Sequence, residues 1–367
     1  MKKLRVGVIF GGKSGEHEVS LASGSSIIKG LDKSKYDVIP ICISIEGVWM
    51  TPSSSVELLK EKELLTIDIE SLYIPPVNSD DPLELIKCNK VDKDSRIVDI
   101  AIPVLHGPFG EDGTIQGLFE MSDIPYLGAG VMASAVAMEK GTAKTIYKAN
   151  GLPVCRYITI KRAEWNKNKK ENIENIQNDI GFPLFVKPVN MGSSVGISKV
   201  KGIEDLGKAC DLACKYDRII IVEEAINARE IECSVLGNDE PICSVPGEII
   251  PHNEFYDYDA KYTPGKTDIV IPAPLSEDKV KEIQSYSIRA FKCIDCCGMA
   301  RADFLMDRES EKVYLSEINT IPGFTATSVY AKLFEASGLK YSELLDRLIE
   351  LALERYKEKS SSQTYFF

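Results

Sequence analysis

The chain has 367 residues, of which 44 are Lys or Arg and 55 are Asp or Glu, so its formal net charge is −11. A prior of roughly 150 residues per domain suggests two or three domains, and the apolar fraction of 44% is ordinary for a globular protein. The acidic charge disfavours nucleic acid and anionic lipid surfaces as partners. No apolar run reaches the length of about 18 residues that a transmembrane helix needs, and we expect a cytoplasmic protein.

The first third of the chain alternates predicted strands and helices. Strands are predicted over residues 4–10 and 97–105, where nearly continuous apolar runs end at glycine-rich turns. Helices are predicted over residues 16–30 and 114–121. This alternation predicts an α/β domain of the Rossmann-like type, built on a parallel sheet.

A P-loop pattern occurs in the first predicted strand and turn, where residues 7–14 read GVIFGGKS. In a P-loop the residues after the first glycine wrap around phosphates, whereas residues 8–10 have the character of buried strand residues. We therefore interpret residues 11–12 as a tight turn that lets backbone N–H groups and Glu16 approach a ligand.

The rest of the chain mixes helices and strands, so the overall fold class is α/β with α+β character. Helices are predicted over residues 138–150 and 344–357. Strands are predicted over residues 182–188, 195–200, 219–224, 230–237, 298–306 and 312–319. Residues 246–266 show neither period and are interpreted as a long functional loop, a lid over a ligand.

A candidate phosphate-binding loop follows one of these strands. Residues 182–196 read FPLFVKPVNMGSSVG, so a strand that ends in Lys187 leads into a loop of small residues. Glycine and serine let N–H and hydroxyl groups fold over an anion, and Lys187 supplies a positive charge. An ordinary hairpin with an incidental lysine is the alternative.

Four polar residues lie on the last predicted hairpin: Arg301, Asp303, Glu317 and Asn319. Because strand side chains alternate between faces, a turn centred near Ser310 places Asp303 opposite Glu317 and Arg301 opposite Asn319. Oxygen ligands without His or Cys favour Mg²⁺ or Mn²⁺, and a pair of ions that bridges phosphates is the natural occupant. A surface hairpin with cross-strand ion pairs is the alternative.

Cysteine and histidine residues give weaker signals. The chain has ten cysteines, and the close group at residues 293–297 would need Cys210 and Cys214 beside it to form a zinc site. Free thiols are the expected state. His106 ends a predicted strand in a glycine-rich segment, which is a usual position for ligand contact in open α/β sheets.

Seven segments form a recognisable set when they are taken in order. They are GGKSGEHEVS (11–20), HGPFGEDGT (106–114), MEK (138–140), KP with GSSVG (187–196), FYDYDAKY (255–262), RAD (301–303) and EINTIPGFT (317–325). Together they closely resemble the D-alanine:D-alanine ligase family of the ATP-grasp superfamily, over nearly the whole chain.

The resemblance implies an N-terminal Rossmann-like substrate domain followed by a two-part ATP-grasp fold. The implied divisions are an N-terminal domain over residues 1–128, a central domain over 129–223, a C-terminal domain over 224–359 and a flexible tail over 360–367. The implied reaction uses ATP to phosphorylate the carboxylate of one D-alanine and joins it to the amine of a second, for peptidoglycan precursor synthesis. The implied cofactors are ATP and two Mg²⁺ (or Mn²⁺) ions, and a homodimer is expected.

The resemblance also implies roles for individual residues at the nucleotide and the metal. Phosphate contacts would come from Lys140, Lys187, Ser194 and Lys261. Adenine and ribose contacts would come from Glu223 and Glu230. The metal ligands would be Asp303, Glu317 and Asn319.

Catalytic roles are implied for a second group of residues. Glu16 would bind the first ammonium group and connect through Ser193 to Tyr262. Arg301 and the N–H group of Gly323 would stabilise the oxyanion of the tetrahedral intermediate.

The substrate end of the site contains one departure from the family pattern. Ser328 would bind the second carboxylate, and His106 is a further substrate-binding candidate. Many family members carry a histidine before that serine, whereas this chain has Ala326 and Thr327 there. A D-Ala-D-Ser ligase of the vancomycin-resistance type is therefore an alternative. A nucleotide-binding relative without catalysis is another, which the joint presence of the four hairpin residues disfavours.

Overall fold

The computed structural model describes residues 2–65, 69–75, 97–252 and 267–363. The described strands form three sheets, and helices pack against each sheet. The strands are β1 (Leu4–Gly11), β2 (Tyr36–Ile43), β3 (Ile100–Val104), β4 (Tyr157–Lys161), β5 (Leu184–Pro188), β6 (Ser198–Val200), β7 (Ile219–Glu224), β8 (Ala228–Gly237), β9 (Ile242–Cys243), β10 (Gly247–Pro251), β11 (Thr267–Val270), β12 (Gly298–Asp307) and β13 (Val313–Asn319). The α-helices are α1 (His17–Gly30), α2 (Pro52–Glu61), α3 (Thr114–Met121), α4 (Val131–Met138), α5 (Lys140–Ala149), α6 (Arg162–Lys167), α7 (Lys169–Asp179), α8 (Ile203–Tyr216), α9 (Glu277–Cys293), α10 (Val329–Ala336) and α11 (Tyr341–Ser360).

The first sheet is parallel, in the order β2-β1-β3, which confirms the predicted α/β domain. Val8 and Phe10 of β1 are fully buried, because neighbouring strands and helix α1 surround this strand. Gly7 lies in the middle of β1, and a Cβ atom at this position would be only 2.7 Å from the Val98 side chain. The P-loop pattern is therefore a packed strand and not a phosphate loop.

The second sheet is antiparallel, in the order β4-β7-β5-β6. Leu184 and Val186 of β5 are buried in one core with Val222 of β7 and with side chains of helices α6 to α8. Because strand side chains alternate, Lys187 and Glu223 lie on the opposite face of this sheet.

The third sheet is antiparallel, in the order β11-β10-β8-β12-β13, and β9 pairs with β8. Its core face contributes Ile231 and Phe304, which are buried with Phe291 of helix α9. Alternation places Asp303 on the other face, where the predicted site residues lie.

Two predicted elements were partly wrong. The helix predicted over residues 138–150 is divided at Glu139, whose backbone is extended and whose carboxylate caps helix α5 by accepting a hydrogen bond from the Thr142 N–H. The predicted loop over residues 246–266 contains strand β10, which pairs with β8 and β11. Long-range pairing creates that strand, so local sequence pattern does not indicate it. Residues 253–266 of the predicted lid lie outside the described residues.

The C-terminal helix α11 packs back on the first sheet. Its residues Leu344, Leu345 and Leu348 are buried in the same core as β1, and Asp346 accepts a hydrogen bond of 2.7 Å from the hydroxyl of Tyr36. The three sheets span residues 4–104, 157–224 and 228–319 in the chain, and we propose the three domain boundaries of the sequence analysis on that division. Within the described ranges, no helix combines the length and the apolar character needed to cross a membrane.

Candidate active site

The hairpin of β12 and β13 has the register that the sequence predicts. Asp303 lies opposite Glu317, and Arg301 lies opposite Asn319, with an irregularity in the pairing immediately after Asp303. The predicted cross-strand arrangement of the four residues is therefore confirmed, and all four side chains share one face of the third sheet.

Arg301 is held by two carboxylates on this face. Its Nε–H and Nη2–H groups donate to the two oxygens of Asp303 at 2.7 and 2.6 Å. Oε2 of Glu232, on the neighbouring strand β8, lies 3.0 Å from the same Nε atom. The Arg301 side chain is only 16% exposed, so both ion pairs are shielded from water.

Sequence reasoning missed Glu232, which lies directly opposite Asp303 on β8. Glu232, Asp303 and Glu317 thus form one row of carboxylates across three adjacent strands. The available signal was a second acidic residue two positions after Glu230, in a strand that is otherwise mainly apolar. Like charges directly opposite one another are destabilising in a sheet, and the guanidinium of Arg301 offsets this repulsion at Glu232 and Asp303.

Two lysines that the resemblance assigns to the nucleotide lie beside carboxylates, one on helix α5 and one on the second sheet. Lys140 donates a hydrogen bond of 2.9 Å to the carbonyl of Met191, and its Nζ atom lies 3.7 Å from Glu317. Lys187 donates one of 2.7 Å to Glu223. The resemblance had assigned both lysines to the nucleotide phosphates, and the structure places each beside a carboxylate of the same proposed site.

A third lysine in this region was not singled out from the sequence. Nζ of Lys144, on helix α5, lies 3.1 Å from Glu223, and the Lys144 side chain is 2% exposed. Burial raises the pKa of the Glu223 carboxyl, but its ion pairs with Lys144 and Lys187 dominate and lower it to about 2.

Glu16 and the small-residue loop meet at the other end of the site. The hydroxyl of Ser193 donates a hydrogen bond to Glu16, which confirms the predicted proximity of these two residues. A Cβ atom on Gly192 or on Gly107 would lie 2.8 Å from the Glu16 carboxylate, so a side chain at either position would displace that carboxylate, and the φ of 76° at Gly107 also favours glycine. Ser193 and Ser194 have φ angles of 46° and 60°, a conformation that non-glycine residues rarely adopt and that is often found at ligand-binding loops.

His106 contacts two other segments of the protein. Because a carbonyl only accepts hydrogen bonds, Nδ1–H of His106 donates to the Ile321 carbonyl at 3.0 Å, and Nε2 accepts from the Ser23 hydroxyl at 3.1 Å. Burial lowers the pKa of His106, which favours this neutral form. Its assignment to the substrate stays a prediction.

Glu111 contacts the same segment through the N–H group of Ile321, whereas His106 contacts the Ile321 carbonyl. Glu111 accepts hydrogen bonds from the N–H groups of Gly107 at 2.7 Å and Ile321 at 3.3 Å. Burial and the nearby negative charge of Glu16 raise its pKa to about 8. The sequence reasoning quoted Glu111 in a motif but gave it no role. The pair of contacts fastens the loop after β3 to the segment that carries Gly323.

The remaining predicted residues are distributed as follows. A Cβ atom on Gly323 would lie 3.3 Å from the Ser328 hydroxyl oxygen, so these two residues are neighbours. Glu230 lies on β8 two residues before Glu232 and therefore on the same face. Lys261 and Tyr262 lie outside the described residues.

The cysteines form no metal centre in the part of the chain that the structure describes. Cys210 and Cys214 are buried in the core of the second sheet, whereas Cys296 is buried with the third. All nine described cysteines are free thiols, as expected. Within these described residues no three His, Cys, Asp or Glu side chains converge as a metal-binding group.

The second sheet carries Lys187 and leads into the small-residue loop, helix α5 carries Lys140 and Lys144, and the third sheet carries the acidic hairpin. This is the architecture of an ATP-grasp fold. The family model described as D-ala D-ala ligase N-terminus matches residues 5–129, and the model described as D-ala D-ala ligase C-terminus matches residues 146–350.

Relatives and solved structures agree with these matches over the full length. The D-alanine--D-alanine ligase of Natranaerobius thermophilus is 49% identical, with 100% of this chain and 99% of that protein covered. The solved D-alanine-D-alanine ligase of Coxiella burnetii is 37% identical with a TM-score of 0.79, covering 98% of this chain and 97% of that one. The VanG D-Ala:D-Ser ligase of Enterococcus faecalis is 36% identical with a TM-score of 0.79, covering 96% and 100%. The chain belongs to the D-alanine–D-alanine ligase family.

Proposed function

We propose that the protein joins two D-alanines into D-Ala-D-Ala with hydrolysis of ATP to ADP and phosphate, and that the product serves peptidoglycan precursor synthesis. The observation that carries the proposal is the acidic row on the third sheet, bound to Arg301 and approached by Lys140. The full-length similarity to D-alanine--D-alanine ligases supports the choice of substrate.

One observation of the structure supports the fit of a metal ion to the proposed ligands. Within the described part of the chain, Oδ1 of Asn319 is buried and has no hydrogen-bond partner, as expected for an atom that a ligand would satisfy. Asp303, Glu317 and Asn319 offer only oxygen atoms, the donor set that suits Mg²⁺ or Mn²⁺. These three residues would hold the metal, which when bound would neutralise the charge of the nucleotide phosphates.

The first step forms a bond between an oxygen of the D-alanine carboxylate and the γ-phosphorus of ATP, and ADP leaves. Lys140 and Lys187 would hold the phosphates, with Ser194 in the loop over them and Lys261 at the γ-phosphate. Glu223 and Glu230 would bind adenine and ribose. The carboxylate of Glu16, oriented by Ser193, would hold the ammonium group of this first D-alanine.

The second step forms the peptide bond. The free amine of the second D-alanine attacks the acyl carbon of D-alanyl phosphate, and the departing phosphate takes up the proton that the amine loses. Arg301 and the Gly323 N–H would stabilise the oxyanion, while Ser328 would bind the second carboxylate. Tyr262 would join Ser193 and Glu16 in the hydrogen-bonded set.

The test is incubation of the purified protein with ATP, Mg²⁺ and D-alanine. We expect ADP, phosphate and D-Ala-D-Ala in equal amounts, with L-alanine as the control that gives no phosphate release. Consumption of only L-amino acids, or phosphate release without a dipeptide, would show that the proposed reaction is wrong.

D-serine is the alternative acceptor. It is favoured by the similarity to the VanG D-Ala:D-Ser ligase and by the presence of Ala326 and Thr327 before Ser328. A competition between D-alanine and D-serine at equal concentration distinguishes the two. We expect D-Ala-D-Ala as the main product, and a predominance of D-Ala-D-Ser would assign the second subsite to D-serine.

The oligomeric state is proposed on the family resemblance alone, and the location on the use of ATP. A homodimer is expected, and light scattering after size-exclusion chromatography measures its mass against the monomer mass of 40.6 kDa. A cytoplasmic location is expected because the proposed reaction consumes ATP, and cell fractionation would test it.

A further inference from the structure

A cluster of three charged side chains lies in the interior between helix α5 and the second sheet. Glu223 of β7 contacts Lys144 at 3.1 Å through Oε1 and Lys187 at 2.7 Å through Oε2. Nζ of Lys144 also lies 3.6 Å from Sγ of Cys155. The carboxylate is therefore shared between two ammonium groups that approach it from opposite oxygens.

The cluster carries a net positive charge. Two ammonium groups face one carboxylate, and the fourth member, the thiol of Cys155, is neutral because burial raises its pKa. Buried charges are stable only when they are paired, so a surplus positive charge in this place favours the binding of an anion.

The two lysines differ in their access to such an anion. The side chain of Lys187 is 18% exposed, whereas that of Lys144 is 2% exposed. Lys187 is the second-last residue of β5 and precedes the Gly192–Gly196 loop, while Lys144 is enclosed on helix α5, one turn from the buried Tyr147. An incoming phosphate therefore reaches Lys187 and not Lys144.

We propose that Lys144 is a positioning residue for the nucleotide: it keeps Glu223 in place and ionised when a phosphate draws Lys187 away from that carboxylate. This inference rests on the proposed function, in which Lys187 contacts phosphate and Glu223 meets the adenine edge. Without Lys144, a phosphate and Glu223 compete for Lys187, and the nucleotide is bound only by breaking the remaining ion pair.

The test replaces Lys144 with Met, which keeps the length of the side chain and leaves a neutral Glu223–Lys187 pair. The matched control is Lys148→Met, one turn further along helix α5, where the lysine is exposed. We expect the Kd for ADP and the KM for ATP to rise about tenfold to hundredfold in Lys144→Met, the range for a lost hydrogen bond to a charged group. The KM for D-alanine should stay within about twofold of the wild-type value, and Lys148→Met should change none of the three by more than that.

A double-mutant cycle with Glu223→Gln separates positioning from general stabilisation. If Lys144 acts through Glu223, Lys144→Met should change the Kd for ADP by less than about twofold in the Glu223→Gln background. Calorimetric titration with ADP measures each Kd without any dipeptide being formed. A wild-type protein that binds ADP but forms no dipeptide would refute the proposed function and leave this test intact.

Three results would overturn the proposal. One is an ADP affinity of Lys144→Met equal to that of Lys148→Met. Another is a full effect of Lys144→Met that persists in the Glu223→Gln background, which would mean that Lys144 acts independently of Glu223. The third is a Lys144→Met chain without the circular dichroism of a folded protein, which would assign Lys144 to the stability of the second sheet.

Discussion

Asp303→Asn tests whether the acidic row serves chemistry or only structure. The native carboxylate accepts two hydrogen bonds from Arg301 at 2.7 and 2.6 Å, and its side chain is 17% exposed. The substitution keeps the size of the side chain and removes its charge. Arg301 retains Glu232 as a counter-ion, so no buried charge is left alone.

The structure contains a second pair of nearly the same geometry, which serves as the control. Glu248 accepts two hydrogen bonds from Arg229 at 2.8 and 2.7 Å, and the two side chains are 8% and 20% exposed. Glu248 lies opposite Ile231 of β8, a residue of the sheet's core face, so it points away from the acidic row. Glu248→Gln therefore removes an equivalent ion pair without touching the proposed site.

Both substitutions should reduce the free energy of unfolding by about 1.5–3 kcal/mol, the range for a hydrogen bond to a charged group. The decrease in the free energy of unfolding should lie at the lower end of this range for Asp303→Asn, because this substitution also removes repulsion with Glu232 and Glu317 across the strands. Thermal denaturation should show a decrease in Tm of about 2–4 °C per kcal/mol. Phosphate release should fall at least about 100-fold in Asp303→Asn, equivalent to about 2.7 kcal/mol in the barrier, and stay within about twofold in Glu248→Gln.

The phosphate-release activities of Asp303→Asn and Glu248→Gln decide whether the acidic row serves chemistry or structure. Equal activity of Asp303→Asn and Glu248→Gln would make the acidic row a structural feature. The reasoning would also be refuted if the activity of Asp303→Asn fell only in proportion to the fraction of unfolded protein.

Two further predictions concern single contacts. Glu317→Gln removes a full charge from a proposed metal ligand, so the Mg²⁺ concentration for half-maximal activity should rise at least about tenfold. An unchanged Mg²⁺ titration would contradict the assignment of Glu317 to the metal. Ser193→Ala removes the hydroxyl that donates a hydrogen bond to Glu16. The KM for the first D-alanine should therefore rise by about threefold to tenfold, while the KM for ATP stays constant. Parallel changes in both KM values would indicate a disordered loop instead.

The hairpin was predictable because its determinants are local. Strand alternation and a single polar turn fix the faces of Arg301, Asp303 and Glu317, and the structure has the predicted register. Glu232 was missed because its position beside Asp303 depends on the pairing of β8 with β12, about 70 residues apart in the chain. Such pairing is set by the packing of the whole sheet, and no local pattern specifies which strand becomes the neighbour.

Lys144 was missed for a different physical reason. A lysine on an amphipathic helix is usually solvated, and only the presence of Glu223 on a distant strand makes its burial favourable. Sequence pattern gives the polarity of a residue but not the partner that permits its burial. Family resemblance assigned roles to Glu223 and Lys187, and the structure supplied the third charge.

The two contacts on Ile321 lead to a prediction about pH in protein free of metal and nucleotide. His106 binds the Ile321 carbonyl in its neutral form, and burial lowers its pKa below the usual 6.5. The unfolded chain then takes up the proton first, so this contribution to stability is present above pH 6.5 and is lost as the pH falls below it.

Glu111 has the opposite dependence, because its pKa is raised from 4.5 to about 8. Its contribution is complete below pH 4.5 and is lost as the pH rises through 8. The Glu111 contribution changes between pH 4.5 and 8, so Glu111→Gln should flatten the decrease of Tm from pH 6.5 to 8, where His106 contributes no slope. Below pH 6.5 the two contributions oppose each other, so His106→Gln should let Tm rise as the pH falls from 6.5 to 5. Thermal denaturation of both variants at each pH measures the slopes. A variant that changed Tm by the same amount at pH 5 and at pH 8 would show that the pH dependence of Tm arises elsewhere in the molecule.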